Sequence, residues 1–253
     1  MSTLLHIERL DAVVRALLDS GATSVLDLGC GPGELLLRLR GHAQFVRLLG
    51  IDIDARALAD ARAALGLDWL QPDPGLAVRL GSFEEVDAEL KGFDAAVMLE
   101  TIEHIAPGHL PRVERAVFVG MHPRLVLVTT PNQEYNVLHG LAAGRKRHPG
   151  HHFEWTRAQF RHWAAGVAQR HAYHVSFSDL GPPDPLRGSS TQMASFAIPC
   201  GSDHFAKQTC SDPNKLDNLR VRPLAKRRAL SFNRAFAARA PLQLSWRPCH
   251  PEA

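Results

Sequence analysis

The sequence predicts an α/β fold in which helices cover both faces of a mostly parallel sheet. Three observations predict it. Short apolar, β-rich runs alternate with helical runs as far as residue 198. A glycine-rich turn leaves the first of these runs and opens the next helix. An aspartate ends the second run, where ligands of such sheets bind.

The elements follow in order. The opening segment is an amphipathic helix with Leu10, Val13, Val14, Leu17 and Leu18 on one face. Its acids Glu8 and Asp11 do not fit a signal peptide, which needs a basic start and an unbroken apolar core. Ser24-Val25-Leu26-Asp27-Leu28 is the first strand and runs into Gly29-Cys30-Gly31-Pro32-Gly33. Glu34 to Arg40 is helical, Phe45 to Ile51 is the second strand, and Ala55 to Leu65 is an Ala-rich helix. Ala77 to Leu80 and Phe93 to Met98 are further strands, and Arg124 to Thr129 is a clear β-rich run. Thr156-Arg157-Ala158-Gln159 matches a capping box ahead of Phe160, Trp163 and Val167 at helical spacing. His174 to Phe177 and Gln192 to Ile198 are the last strands, joined by the loop Gly181-Pro182-Pro183-Asp184-Pro185. There is no internal repeat.

The 253 residues are 45% hydrophobic and 22% charged, enough for one α/β domain with a real core. No apolar run is long enough to span a membrane. Cys30, Cys200, Cys210 and Cys249 form no Cys-x-x-Cys pair. That spacing argues against a zinc module or a disulfide framework and fits a reducing cytoplasm. The formal charge of +3 conceals an asymmetry. Residues 201–253 carry ten Lys/Arg against four acids, so a composition shift near Pro199 to Gly201 separates a domain of residues 1–200 from a basic C-terminal extension. Such an extension either attracts a polyanion such as nucleic acid or is simply solvated.

Asp27-x-Gly29-x-Gly31-x-Gly33 lets the backbone turn sharply and approach a ligand closely. Asp52 lies 19 residues beyond Gly33, where a carboxylate can accept both ribose hydroxyls of a nucleoside. The spacing disfavours a dinucleotide, and the absence of Gly-Lys-Ser/Thr excludes a P-loop. This loop resembles that of class I S-adenosylmethionine-dependent methyltransferases. The resemblance implies a Rossmann-like, seven-stranded sheet with an antiparallel last strand. It also implies S-adenosylmethionine held by Asp27, Gly29, Gly31, Gly33 and Asp52. Gly81-Ser82-Phe83 then supplies the adenine-side loop through Ser82, or is a plain turn.

Glu100, Glu103 and His104 follow the strand at Phe93 to Met98. If a helical turn starts there, all three side chains project to one side, a half-shell for a divalent ion of the Mg/Mn type. A further ligand is sought among His148, His151 and His152, and the residues alone do not choose between them.

Leu99-Glu100-x-x-Glu103-His104, Thr130-Pro131-Asn132-x-Glu134-Tyr135-Asn136 and Arg147-His148-x-x-His151-x-Phe153-Glu154-Trp155-Thr156-Arg157 together resemble the small-RNA 3′-terminal ribose 2′-O-methyltransferases, the HEN family. The match covers about residues 5 to 198. It implies Mg²⁺ or Mn²⁺ on Glu100, Glu103, His104 and His151, which are also the catalytic set, with His148 outside it. Gly150 stands where the family tends to have an acid, which loosens the orientation of a ligating histidine. The resemblance implies the 3′ end of an RNA as partner, with any RNA repair or small-RNA machinery on a separate chain.

A cation at such a site stabilises an alkoxide, and vicinal 2′ and 3′ hydroxyls chelate it, so the free terminus is itself the recognition element. His104 or His151 is the candidate proton acceptor. Asn132 and Glu134 either position substrate or form a polar turn, Phe153 stacks on terminal bases, and Trp155 is a staple into the core. Arg145, Lys146 and Arg147 meet the terminal phosphates. Two other functions share these residues: a metal-dependent O-methyltransferase of a small-molecule diol, and a non-catalytic cofactor- or RNA-binding module.

Overall fold

The computed structural model describes residues 3–67, 73–85, 87–142 and 144–199. The basic extension and Cys200, Cys210 and Cys249 lie outside the described residues.

Seven strands form one sheet in the order β3-β2-β1-β4-β5-β7-β6. They are β1 (Ser24–Leu28), β2 (Arg47–Asp52), β3 (Leu76–Leu80), β4 (Ala95–Leu99), β5 (Leu125–Pro131), β6 (His174–Asp184) and β7 (Gly188–Ala197). The first five run parallel, while β7 is antiparallel to both β5 and β6. The helices are α1 (Leu4–Asp19), α2 (Glu34–Arg40), α3 (Ala55–Leu65), α4 (Leu110–Arg115) and α5 (Arg157–His171). A π-helical turn, Ala116–Met121, extends α4.

Alternation along the strands separates two cores. Val25, Val97 and Leu127 pack with Leu10 and Leu17 of α1, Leu36 of α2 and Leu58 of α3. Leu26, Leu28, Met98 and Val128 point the other way and pack with Phe118, Phe160 and Phe196. Strands buried on both faces read as near-continuous apolar runs, and β1 is buried at all five positions, with Ser24 and Asp27 as its polar members. The expected capping box of α5 is formed: Thr156 accepts from the Gln159 backbone, and Gln159 returns a bond to the Thr156 N–H. Full burial of one of these large apolar side chains contributes about 1.5–3 kcal/mol.

Two expectations need correction. The Gly/Pro segment after residue 180 is not a loop: β6 continues through it to Asp184. Its register against β7 shifts between Leu180 and Pro183. As the edge strand, β6 pairs on one side only, so prolines without an N–H are tolerated there. Correspondingly, β7 starts at Gly188, and Ser189, Ser190 and Thr191 are buried without any apolar pattern to reveal them. The second expectation was a helical turn starting at the end of β4. Glu100 instead has φ of 52°, and only Ile102–His104 form a 3₁₀ turn.

Strand order reverses between β1 and β4, whose carboxyl ends carry Gly29–Gly33 and Glu100–His104. The crevice at such a switch point is where this architecture binds ligands. Among the described residues, no helix is long and apolar enough to cross a membrane.

Candidate active site

The glycine loop is held open by geometry. Gly29, Gly31 and Gly33 all have positive φ. A Cβ on Gly29 would lie 2.6 Å from Thr101 Cγ2, so this glycine also makes room for the residue following Glu100. A Cβ on Gly31 would meet nothing within 4 Å, which leaves that backbone facing open space. Asp52 ties the loop to the end of β2: Oδ2 accepts from the Gly31 N–H at 2.8 Å, and Oδ1 accepts from the Asp54 N–H at 2.8 Å. Ser82 sits just past β3, and its hydroxyl accepts from the Glu84 N–H in a turn.

A cavity of about 220 Å³ adjoins this loop, with Asp27, Gly29, Gly31 and Glu100 in its wall and His6 and Leu10 of α1 across it. Burial, and then the charge of Asp52, push the Asp27 carboxyl up to about 7. A cationic group entering the cavity would draw Asp27 to its ionised form. Burial first, with Asp27 second, also raises the Cys30 thiol, so it stays an unreactive thiol.

Glu100 and Glu103 are fixed by β5. The Glu100 N–H is shared between Thr129 O (3.2 Å) and Thr129 Oγ1 (3.0 Å). Those bonds hold Glu100 in the left-handed region, a conformation that costs a non-glycine residue about 1–3 kcal/mol and concentrates at functional sites. Glu103 is fully buried, and its Oε2 accepts from Thr130 Oγ1 at 3.0 Å. Burial raises both carboxyls, and Glu100 raises Glu103 further, so the two share one electrostatic environment. Glu100 Oε1 and Glu103 Oε1 are buried without a hydrogen-bond partner.

The histidine loop is brought alongside. The His152 N–H donates to Glu103 O at 2.7 Å. One ring nitrogen from each of His104, His148 and His151 lies within 4.8 Å of the others. Their roles separate by hydrogen bonding. His151 Nδ1 lies 2.6 Å from Glu154 Oε1, which fixes the proton on Nδ1 and leaves Nε2 as a lone pair. His148 Nδ1 accepts from the Gly150 N–H at 3.0 Å, which places its proton on Nε2 and leaves it without a free lone pair. Burial, then His151 and His148, push His104 below the ordinary histidine value, which favours the neutral, metal-binding form.

Gly150 has a steric reason as well. A Cβ there would lie 3.0 Å from His148 Nδ1 and 3.3 Å from His104 Nδ1. Position 150 carries no acid, and the carboxylate that orients His151 is Glu154. Against burial, hydrogen bonds from Asn136, the Arg147 N–H and His151 hold the Glu154 carboxyl below its usual range. The looser histidine orientation expected from Gly150 is therefore not found.

This donor set fits a divalent cation. Two carboxylates each leave a buried oxygen unanswered, and one imidazole keeps a lone pair on Nε2 because its proton is held on Nδ1. Unanswered buried charge is costly unless a counter-ion meets it.

Other expected contacts are structural instead. Arg147 does not face solvent phosphates: it donates to Asn136 Oδ1 (2.6 Å), Asn132 O (2.7 Å) and Ser190 O (2.9 Å). Lys146 Nζ bonds the His151 carbonyl. Asn132 Nδ2 donates to Arg187 O and Ser189 O, and Glu134 accepts from Arg157. Phe153 stacks on Trp155 with centroids 4.3 Å apart, and both pack against the core. Trp155 is the staple expected, whereas Phe153 is committed to that stack. Arg9 was missed: its Nη1 pairs with Glu100 Oε2 at 2.9 Å. The only signal was a basic residue beside the apolar stripe of α1.

Comparison with known proteins matches residues 25–123 to a family described as "Methyltransferase domain". The crystal structure of the methyltransferase domain of bacterial CtHen1 is 36% identical and superposes with a TM-score of 0.70. That match covers 77% of this chain and all of the other. The crystal structure of small RNA methyltransferase HEN1 is 31% identical, with a TM-score of 0.70, over 79% of this chain and 26% of that one. A small RNA 2′-O-methyltransferase of Gallus gallus is 37% identical over 182 residues, 68% of this chain and 48% of that protein. The chain spans less than half the length of the curated relatives it matches.

Proposed function

The chain belongs to the small-RNA 2′-O-methyltransferase family, and from that premise we propose that it methylates the 2′-hydroxyl of the 3′-terminal ribose of an RNA. S-adenosylmethionine is the methyl donor, in the cavity beside Gly29–Gly33. Asp27 answers its positive charge and Asp52 accepts from its ribose hydroxyls.

Glu100, Glu103, His104 and His151 would hold Mg²⁺ or Mn²⁺. The observation that carries this is the pair of buried, unpartnered oxygens on Glu100 and Glu103, together with a His151 whose proton is held by Glu154 and whose Nε2 keeps its lone pair. Bound there, the cation supplies charge that stabilises the ribose oxygen as its proton leaves. The chain's own residues do the rest. Glu154 keeps His151 in one tautomer. Thr101 packs against Gly29, so the cofactor loop and the Glu100 loop keep a fixed separation. A neutral imidazole has one lone pair, so His104 cannot hold the ion and take the 2′ proton at the same time.

Labelled methyl transfer to short RNAs tests the substrate. RNA with a free terminal ribose is expected to be labelled, and RNA with a blocked 3′ or a 2′-deoxy end is not. Equal labelling of the 2′-deoxy end would overturn the ribose assignment. Labelling of a free catechol-type diol in preference to RNA would move the activity to small molecules.

A further inference from the structure

Arg9 is the one member of this site contributed by α1 that touches a proposed ligand. Its guanidinium pairs with Glu100 Oε2 at 2.9 Å, and the two side chains are only 14% and 16% exposed. Arg9 Nε is buried without a hydrogen-bond partner, as is Glu100 Oε1. Neither end of the pair drifts easily. Arg9 sits next to the stripe Leu10, Val13, Val14 and Leu17, which locks α1 onto the sheet. Glu100 is held in its left-handed backbone conformation by the shared bond to Thr129.

A divalent ion on Glu100 and Glu103 therefore arrives where a monovalent cation already stands. The two positive charges repel across a poorly solvated space, and both draw on the same carboxylate. The interaction is not shared evenly, because Glu100 has one oxygen on Arg9 and one oxygen left over.

We propose that Arg9 stands in for the divalent ion at Glu100 and competes with the ion for that carboxylate. The inference rests on the metal reading above. Its consequence is an ion held less tightly than the donor set alone would hold it. Loading is then readily reversible and sensitive to the supply of free ion.

The test is Mn²⁺ binding to the full chain without RNA or cofactor, followed by the paramagnetic signal of free Mn²⁺. Wild type, Arg9→Met and Arg9→Lys are compared after circular dichroism confirms folding. Removing the charge is expected to tighten Mn²⁺ binding about tenfold or more, because a full repulsive charge is lost near the ion. Arg9→Lys keeps the charge and is expected to return binding to within about threefold of wild type. Should Arg9→Met not fold, Arg9→Gln carries the same expectation. Equal or weaker Mn²⁺ binding in the neutral variant overturns the proposal and leaves the metal site standing. No Mn²⁺ uptake by wild type or any variant sinks the metal reading, and the proposal with it.

Discussion

His151 Nδ1 lies 2.6 Å from Glu154 Oε1, three residues along the chain, with both side chains buried. That contact turns an ordinary histidine into a directed one. Its proton is committed, and its other nitrogen is left with a lone pair beside the rings of His104 and His148. Glu154 is itself fixed by Asn136 and the Arg147 backbone, so the orientation is inherited from the loop's own hydrogen bonds.

Glu154→Gln is therefore expected to lower Mn²⁺ affinity about 10–100-fold, the usual cost of losing a partner that orients a metal ligand. Cofactor binding should stay within a factor of about two, since Glu154 lies outside the cofactor cavity's wall. Calorimetric titration with Mn²⁺ and with S-adenosylhomocysteine separates the two. Loss of cofactor binding with intact Mn²⁺ binding would refute the orienting role.

Gly29→Ala should weaken cofactor binding and destabilise the fold together. The new methyl would sit 2.6 Å from Thr101 Cγ2, at a φ of 81° that already disfavours alanine. Thr101→Ser removes the clashing methyl but leaves the hydroxyl oxygen, 2.9 Å from the same Cβ, and the backbone strain, so the double variant should recover part of the loss. Melting curves of the two single variants and the double variant check this. Simple additivity would show that the Gly29–Thr101 contact does not link the two loops.

Asp94 ties the start of β1 to the start of β4. Its Oδ2 accepts from Thr23 N–H (2.9 Å), Thr23 Oγ1 (2.8 Å), Ser24 N–H (3.0 Å) and Ser24 Oγ (3.0 Å). Burial acts upward on this carboxyl, but those bonds outweigh it and hold the pKa below the ordinary value. A depressed folded pKa means that the stabilisation is present above the unfolded pKa and is lost as pH falls through the folded one. Asp94→Asn should cost about 1.5–3 kcal/mol at pH 7, the range for hydrogen bonds to a charged group. The gap from wild type should begin to narrow below about pH 4, the ordinary carboxyl range, and close only as the pH falls past the lower folded value. Urea titrations at pH 7 and pH 3 read this out, and a gap that widens in acid would contradict it.

Much of the site was legible because its parts are local. The Asp27–Gly33 loop announces itself by spacing, and Glu100, Glu103 and His104 sit within five residues. What stayed hidden depends on residues far apart in the chain. Nothing at position 9 signals that it will meet position 100. Arg147 looks like a surface cation beside a histidine loop, yet it braces Asn132, Asn136 and Ser190. The path of β6 was missed because Gly181 to Pro183 carry loop chemistry, which only an unpaired sheet edge accommodates. Glu154's part went unread because its partner is set by the fold of residues 136–154, not by a spacing rule.

Removing residues 201–253 should weaken binding to single-stranded RNA and flatten its dependence on salt, if those ten basic residues meet phosphates. Filter binding across a salt series measures both slopes. Identical affinity at low salt would make the extension a bystander.

The central claim is that Glu100, Glu103, His104 and His151 work through a divalent ion. Methyl transfer to RNA with a free terminal ribose, by chelator-treated protein with and without added Mn²⁺ or Mg²⁺, tests it most directly. The account predicts no transfer in chelator, recovery on adding the ion, and no recovery in Glu103→Gln despite normal S-adenosylhomocysteine binding. Full-rate transfer in chelator would contradict it.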